Sequence, residues 1–255
     1  MPPAPASPEQ LLVFTDLDGS LLDPVTYSWD NAREALEQLS SREIPLILVS
    51  SKTRAEIEPL RLELQHRHPF ITENGGAIFI PQGYFMSVSQ EARIREGFEV
   101  IELGAPYASL LRALRDIEHA AGIQLRGFHD MTVDEVATRT GLTLDEAELA
   151  MRREYDEPFI IEGPPSLLPV IQREAAERQL SVTTGVVSII SLVKATRAGP
   201  AFTSWTATVG TGTGRPSPSD RLVSATARTT TRCWRSWMFR SRFSAPTAPT
   251  IQTST

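Results

Sequence analysis

At 255 residues the chain is long enough for one large domain or two modest ones with an ample core. Its net charge of −6 argues against a general nucleic-acid binder, and its single cysteine, Cys233, excludes an internal disulfide and a cysteine-rich metal site. Residues 1–10 are Pro/Ala-rich, without the basic and apolar regions of a secretion signal, and no run approaches a membrane span, so a cytoplasmic protein with no membrane contact is expected.

Residues 11–14 read as a short buried strand that delivers Asp16 and Asp18 into a tight turn at Gly19. In open α/β sheets, ligands sit beyond the carboxyl ends of the strands. Two carboxylates about 4 Å apart repel by roughly 4 kcal/mol at an effective dielectric near 20, so the pair needs a cation, a proton or a catalytic task. A hard, oxygen-seeking ion such as Mg²⁺ suits it. Alone, Asp-x-Asp-Gly is also an ordinary solvated turn. The full string, Phe14-Thr15-Asp16-Leu17-Asp18-Gly19-Ser20-Leu21-Leu22-Asp23, resembles the first motif of the haloacid dehalogenase superfamily of phosphohydrolases, with Ser20 where the pattern usually has Thr. The resemblance implies that Asp16 is the nucleophile, that Asp18 is the general acid and base, and that both hold Mg²⁺.

Further along, residues 29–39 carry apolar positions at helical spacing behind a candidate cap, Ser28, and residues 44–49 form an apolar run that predicts a strand buried on both faces. That strand ends in Ser50-Ser51-Lys52, and Thr53 predicts the cap of a helix through Ile57, Leu60 and Leu64. Hydroxyl, ammonium and helix amides at such an end suit phosphate oxygens. Lys52 is the only lysine before residue 186. By the resemblance, Ser50 occupies the second motif. Residues 70–72 and 77–80 predict two strands joined by Glu73-Asn74-Gly75-Gly76. Similarity to sugar-phosphate phosphatases of the superfamily implies that Asn74 and Gly75 approach substrate.

From residue 85 to 185 the pattern is that of a separate α/β module. Strands are predicted at 98–103, 124–128, 159–161 and 180–183, and helices at 107–121 and 166–179. Between them lie two capping boxes, Thr132-x-x-Glu135 and Thr143-x-x-Glu146. The expected fold class is therefore α/β: a Rossmann-like core with a parallel sheet, begun by residues 1–84, plus an inserted α/β cap over 85–185. Closing such a cap would exclude water from the site.

The charged run Arg152 to Phe159, with residues 143–158 as a whole, resembles the mannosyl-3-phosphoglycerate phosphatase family. That resemblance implies a phosphorylated sugar-glycerate substrate, with Arg153 on its carboxylate and Glu154 on sugar hydroxyls. A solvated charged face is the alternative for this run. A related sugar-phosphate or glucosyl-3-phosphoglycerate phosphatase is the second enzymatic reading, and a non-catalytic relic is the third. No nucleic-acid partner is expected, and oligomeric state is left open. His66-x-His68 reads as loop.

Residues 186–255 differ in kind. They hold nine Lys or Arg against one Asp and no Glu, whereas the preceding 185 residues hold 16 basic and 30 acidic side chains. The superfamily's third motif, a lysine, and its fourth, Gly-Asp-x-x-x-Asp, are not found there, and the composition is that of a disordered chain. Back-translating residues 186–199 with suitable codons and skipping two bases gives R-F-H-H-L-I-G-K-G-D-K-G-R. Residues 222–234 in the same frame give G-L-G-D-S-P-N-D-D-P-M-L, which has the form of the fourth motif. The expectation is a one-base deletion near Gly185 that has replaced the C-terminal part of the core.

Overall fold

The structure, a computed structural model, describes residues 10–86, 91–184, 190–194 and 239–241. Two sheets organise the chain. The larger has seven strands in the order β11-β1-β2-β3-β4-β6-β5, and the smaller has four in the order β7-β8-β10-β9.

The larger sheet is built around β1 (Gln10–Thr15), β2 (Leu46–Val49) and β3 (Phe70–Thr72). These three are parallel, with Phe14 opposite Ile47 and Val49 opposite Ile71. Their apolar runs are buried on both faces, as parallel strands covered by helices require. The consequence for the site is simple: residues following all three strands emerge at one rim.

The first helical segment begins as a 3-10 turn, Asp30–Ala32, and continues as α1 (Arg33–Ser41). Ser28 Oγ accepts the Asp30 N–H at 3.0 Å, but the cap position falls on Trp29, which makes no side-chain cap bond, and not on the expected Ser28. Helix α2 (Arg54–Glu63) opens on a complete capping box between Thr53 and Glu56.

After β3 the sheet becomes antiparallel through β4 (Ala77–Pro81), β6 (Phe98–Glu102) and β5 (Arg93–Arg95). This corrects the expected start of the cap at residue 85. Phe98 is drawn into the core because its ring meets Phe70 and Phe79 edge-on at 5.5 and 5.9 Å, and Val100 packs beside them.

The smaller sheet comprises β7 (Leu125–Gly127), β8 (Asp156–Ile161), β9 (Leu180–Thr184) and β10 (Ile190–Lys194). It buries Phe159, Leu180 and Leu192 against Leu110, Leu114 and Ile117 of α3 (Tyr107–Ala121) and Ile171 and Ala175 of α6 (Leu168–Glu177). Both predicted capping boxes form, on α4 (Val133–Thr140) and α5 (Leu144–Ala150). The smaller sheet runs past its expected limit at residue 185, because β10 inserts antiparallel between β8 and β9.

The remaining strand, β11 (Phe239–Ser241), pairs antiparallel with residues 10–12 of β1. The rest of 186–255, including the positions expected to lack the third and fourth motifs, lies outside the described residues. Among the described residues, no helix is long and apolar enough to cross a membrane.

Candidate active site

The rim where β1, β2 and β3 end carries three of the predicted groups. Leu17, fully buried, pins the turn after β1 while Asp16 and Asp18 on either side of it face outward. Gly19 has φ +70°, which lets the Gly19 N–H return to the Leu22 carbonyl at 3.1 Å. Asp16 Oδ1 accepts the Leu17 N–H at 2.7 Å. Crowding by protein raises the Asp16 pKa above its ordinary value, and the Asp18 charge adds to this, against the Leu17 N–H and the Lys52 ammonium.

From β2 come Ser50 and Lys52. Ser50 is buried, and its hydroxyl accepts the Lys52 N–H at 3.2 Å. The Lys52 ammonium lies 3.2 Å from Asp18 Oδ1 and 3.8 Å from Glu56. Burial pulls the Lys52 pKa down, but these two carboxylates outweigh it and hold the ammonium charged. Asp16, Asp18, Ser50 and Lys52 therefore stand together at the rim.

From β3 comes the Glu73–Gly75 turn, whose three residues all have positive φ. The Asn74 N–H donates to the Ser50 carbonyl at 3.2 Å and the Glu73 N–H to the Lys52 carbonyl at 3.1 Å. Glu73 and Asn74 thus lie against the Ser50–Lys52 loop, with Gly75 next in the turn. The Asn74 side chain is committed, since its Nδ2 donates to Asp156 Oδ2 at 2.8 Å.

Arg153 and Glu154 lie at a joint between the two sheets, with protein partners on each. The Arg153 guanidinium donates to the Ala150 carbonyl at 2.7 Å, the Ser51 carbonyl at 2.8 Å and Asp156 Oδ1 at 3.1 Å. Burial works against its charge, and Asp156, Glu56 and Glu73 restore it. Glu154 is ion-paired with Arg54 at 3.3 Å and with Arg95. Through the Ser51 contact, Arg153 ties the segment before β8 to the loop that carries Ser50 and Lys52.

Sequence reasoning missed Glu73. Its carboxylate is buried and accepts the N–H groups of Glu154 at 3.0 Å, Tyr155 at 2.7 Å and Asp156 at 2.9 Å. Burial, helped by the Asp156 charge, pushes its pKa up to about 7. A glutamate in a Gly-rich turn reads as solvated, and nothing local announces partners so distant in sequence. Asp156 was missed for the same reason. His66 and His68 serve structure: His66 Nε2 meets the Leu46 carbonyl at 2.7 Å and His68 Nδ1 meets the Tyr84 hydroxyl at 2.8 Å.

For a metal, Asp16 and Asp18 are the hard oxygen donors that Mg²⁺ takes, and their crowded charge is the kind a cation relieves. Among the described residues, no group of three His, Cys, Asp or Glu forms a fuller cage.

Comparison with known proteins then separates this rim from other α/β sites. Residues 13–100, which contain all three rim segments, match the haloacid dehalogenase-like hydrolase family. A glucosyl-3-phosphoglycerate/mannosyl-3-phosphoglycerate phosphatase of Methanococcoides burtonii is 47% identical over 151 residues, covering 59% of this chain and 56% of that protein. Over residues 13–100 the chain is haloacid dehalogenase-like. A protein of the same description from Persephonella marina is 38% identical over 179 residues, covering 69% of this haloacid dehalogenase-like chain and 64% of the relative. The resemblance read from residues 14–23 and 143–158 is borne out at this level. The chain spans 56% and 64% of the lengths of these two relatives. In fold it is similar to a haloacid dehalogenase-like hydrolase from B. subtilis, with TM-score 0.53 and 14% identity over 77% of this chain and 78% of that one.

Proposed function

We propose that this haloacid dehalogenase-like protein is a magnesium-dependent phosphatase acting on mannosyl-3-phosphoglycerate, with glucosyl-3-phosphoglycerate as the alternative substrate. The observation that carries the reading is the shared rim, where Asp16 and Asp18 face Ser50 and Lys52 on parallel strands. The relatives' descriptions supply the substrate class.

In this reading Asp16 attacks phosphorus in line. The bond from phosphorus to the glycerate oxygen breaks, and Asp18 gives that oxygen its proton. Asp18 then takes a proton from water, the water oxygen attacks the aspartyl-phosphate at phosphorus, and phosphate leaves with the Asp16 carboxylate restored. Lys52 and the Ser50 hydroxyl hold the phosphoryl oxygens, and Asn74 backs the loop that presents them. Asp16 and Asp18 would hold Mg²⁺, which supplies charge stabilisation at the phosphoryl group. Arg153 positions the Ser51 carbonyl and so the phosphate-facing loop, while residues 107–184 would supply the cap.

We further infer a frameshift near Gly185, which removes the third and fourth superfamily motifs and makes the polypeptide as written a poor catalyst. The alternative is a ligand-binding protein without turnover. Phosphate release from mannosyl-3-phosphoglycerate and glucosyl-3-phosphoglycerate, assayed with the frame-restored chain and magnesium, tests the proposal. Turnover of either supports it, and turnover of neither by a folded protein refutes it.

A further inference from the structure

The loop after the first motif holds an aromatic residue in a conformation that solvent exposure alone does not explain. Tyr27 has φ +55°, a left-handed backbone that bulky side chains rarely adopt. Such outliers persist where surrounding bonds over-determine them, and they cluster at ligand sites.

The surrounding bonds are specific. The Asp23 carboxylate accepts the Val25 N–H at 3.0 Å, the Thr26 N–H at 2.9 Å and the Thr26 hydroxyl at 3.1 Å. The Tyr27 N–H returns to the Asp23 carbonyl at 2.9 Å, and the Asp23 N–H to the Ser28 carbonyl at 2.8 Å. A closed loop of this kind fixes the direction of its next side chain.

That side chain reaches the site. The Lys52 ammonium lies 5.3 Å from the Tyr27 ring centroid and 3.2 Å from Asp18 Oδ1. The ring therefore stands one side chain away from the catalytic pair. Tyr27 nevertheless keeps 47% of its surface exposed, so it is not a core residue. To phosphate or carboxylate a phenol offers a single O–H donor, which Tyr27→Phe removes, whereas its ring offers a face. The face of an aromatic ring carries negative charge density, and it attracts the partly positive C–H edges of a pyranose while shielding apolar area.

We propose that Tyr27 is a specificity-determining residue whose ring stacks on the hexose of a glycosylated phosphoglycerate held at Asp16 and Lys52. This rests on the substrate reading above. The alternative role, in which Tyr27 only steadies Lys52, predicts a different pattern of binding.

Isothermal titration calorimetry of the full chain in magnesium buffer separates the two. The ligands are mannosyl-3-phosphoglycerate and 3-phosphoglycerate, which share glycerate and phosphate and differ in the sugar. The proposal predicts that the unmodified chain prefers the glycosylated ligand. It predicts that Tyr27→Ala weakens binding of that ligand about 5- to 10-fold while changing 3-phosphoglycerate less than twofold, a range typical of one stacking contact. Tyr27→Phe, which keeps the ring, should bind both as the unmodified chain does. Equal weakening of both ligands by Tyr27→Ala, or of neither, overturns the proposal. Binding of neither ligand by the unmodified chain overturns the substrate reading and this proposal with it.

Discussion

The buried Glu73 carboxylate accepts the backbone N–H of Tyr155 at 2.7 Å, across 82 positions of sequence. With the flanking N–H groups of Glu154 and Asp156, it seats the start of β8 on the turn after β3. A single side chain thus joins the rim that holds Asp16 and Asp18 to the smaller sheet.

Because burial raises the Glu73 pKa to about 7 from 4.5, the folded state binds a proton that the unfolded chain has released between those values. Its contribution is therefore complete below about pH 4.5 and is lost as pH rises through 7, at up to about 1.4 kcal/mol per pH unit. His66 works in the opposite direction, since burial lowers its pKa to about 4 from 6.5. The difference between the unmodified chain and Glu73→Gln cancels the histidine. Urea unfolding should show this gap narrowing from pH 5 to pH 8. A gap that stays constant would show that Glu73 does not titrate in the joint.

Close packing on the same joint predicts a second effect. A Cβ at Gly76 would stand 2.2 Å from Tyr155 Cβ and 3.2 Å from the Glu73 carbonyl oxygen, so backbone must move. Gly76→Ala should lower unfolding stability by about 1–3 kcal/mol, the range for overpacked sites. An unchanged urea midpoint would mean that Tyr155 does not pack there.

These joint residues mark the limit of what the sequence disclosed. Strands β1 to β4 were legible because their apolar runs end in turn residues. Helices α2, α4 and α5 were legible because each carries a local capping box. The first motif was legible because its ten residues are contiguous. Sheet membership was not: Phe98 to Glu102 reads as a strand, but only its pairing with β4 places it in the larger sheet. The charges of Arg153 and Glu154 were visible, whereas their partners Ser51, Arg54 and Arg95 depend on the two sheets meeting.

Lys52 gives a third prediction. Replacing its ammonium by Lys52→Ala removes one charge-assisted contact to phosphate, about 1.5–3 kcal/mol, or roughly 10- to 100-fold in phosphate affinity. It also removes a charge that lowers the Asp16 pKa. Asp16 must be ionised to attack, so the acid limb of the rate profile should move to higher pH in the frame-restored enzyme. Lys52→Arg should keep that limb closer to its original position. A pH profile that does not move would place Lys52 outside the reacting centre.

The inferred frame change predicts that restoring the frame at Gly185 raises phosphatase turnover by about 100-fold or more, since one lost charge-stabilising group alone costs that much. Mass spectrometry of the native protein provides an independent check. Peptides in the restored frame beyond residue 185 are expected, and peptides only in the written frame would contradict the inference.

The most direct test of the account is phosphate release from mannosyl-3-phosphoglycerate by the frame-restored enzyme carrying Asp16→Asn. An amide in place of the attacking carboxylate should reduce kcat by at least about 1000-fold, the scale on which loss of a nucleophile is felt, with the folded state retained. Turnover equal to that of the unmodified enzyme would show that Asp16 does not form the phosphoryl bond.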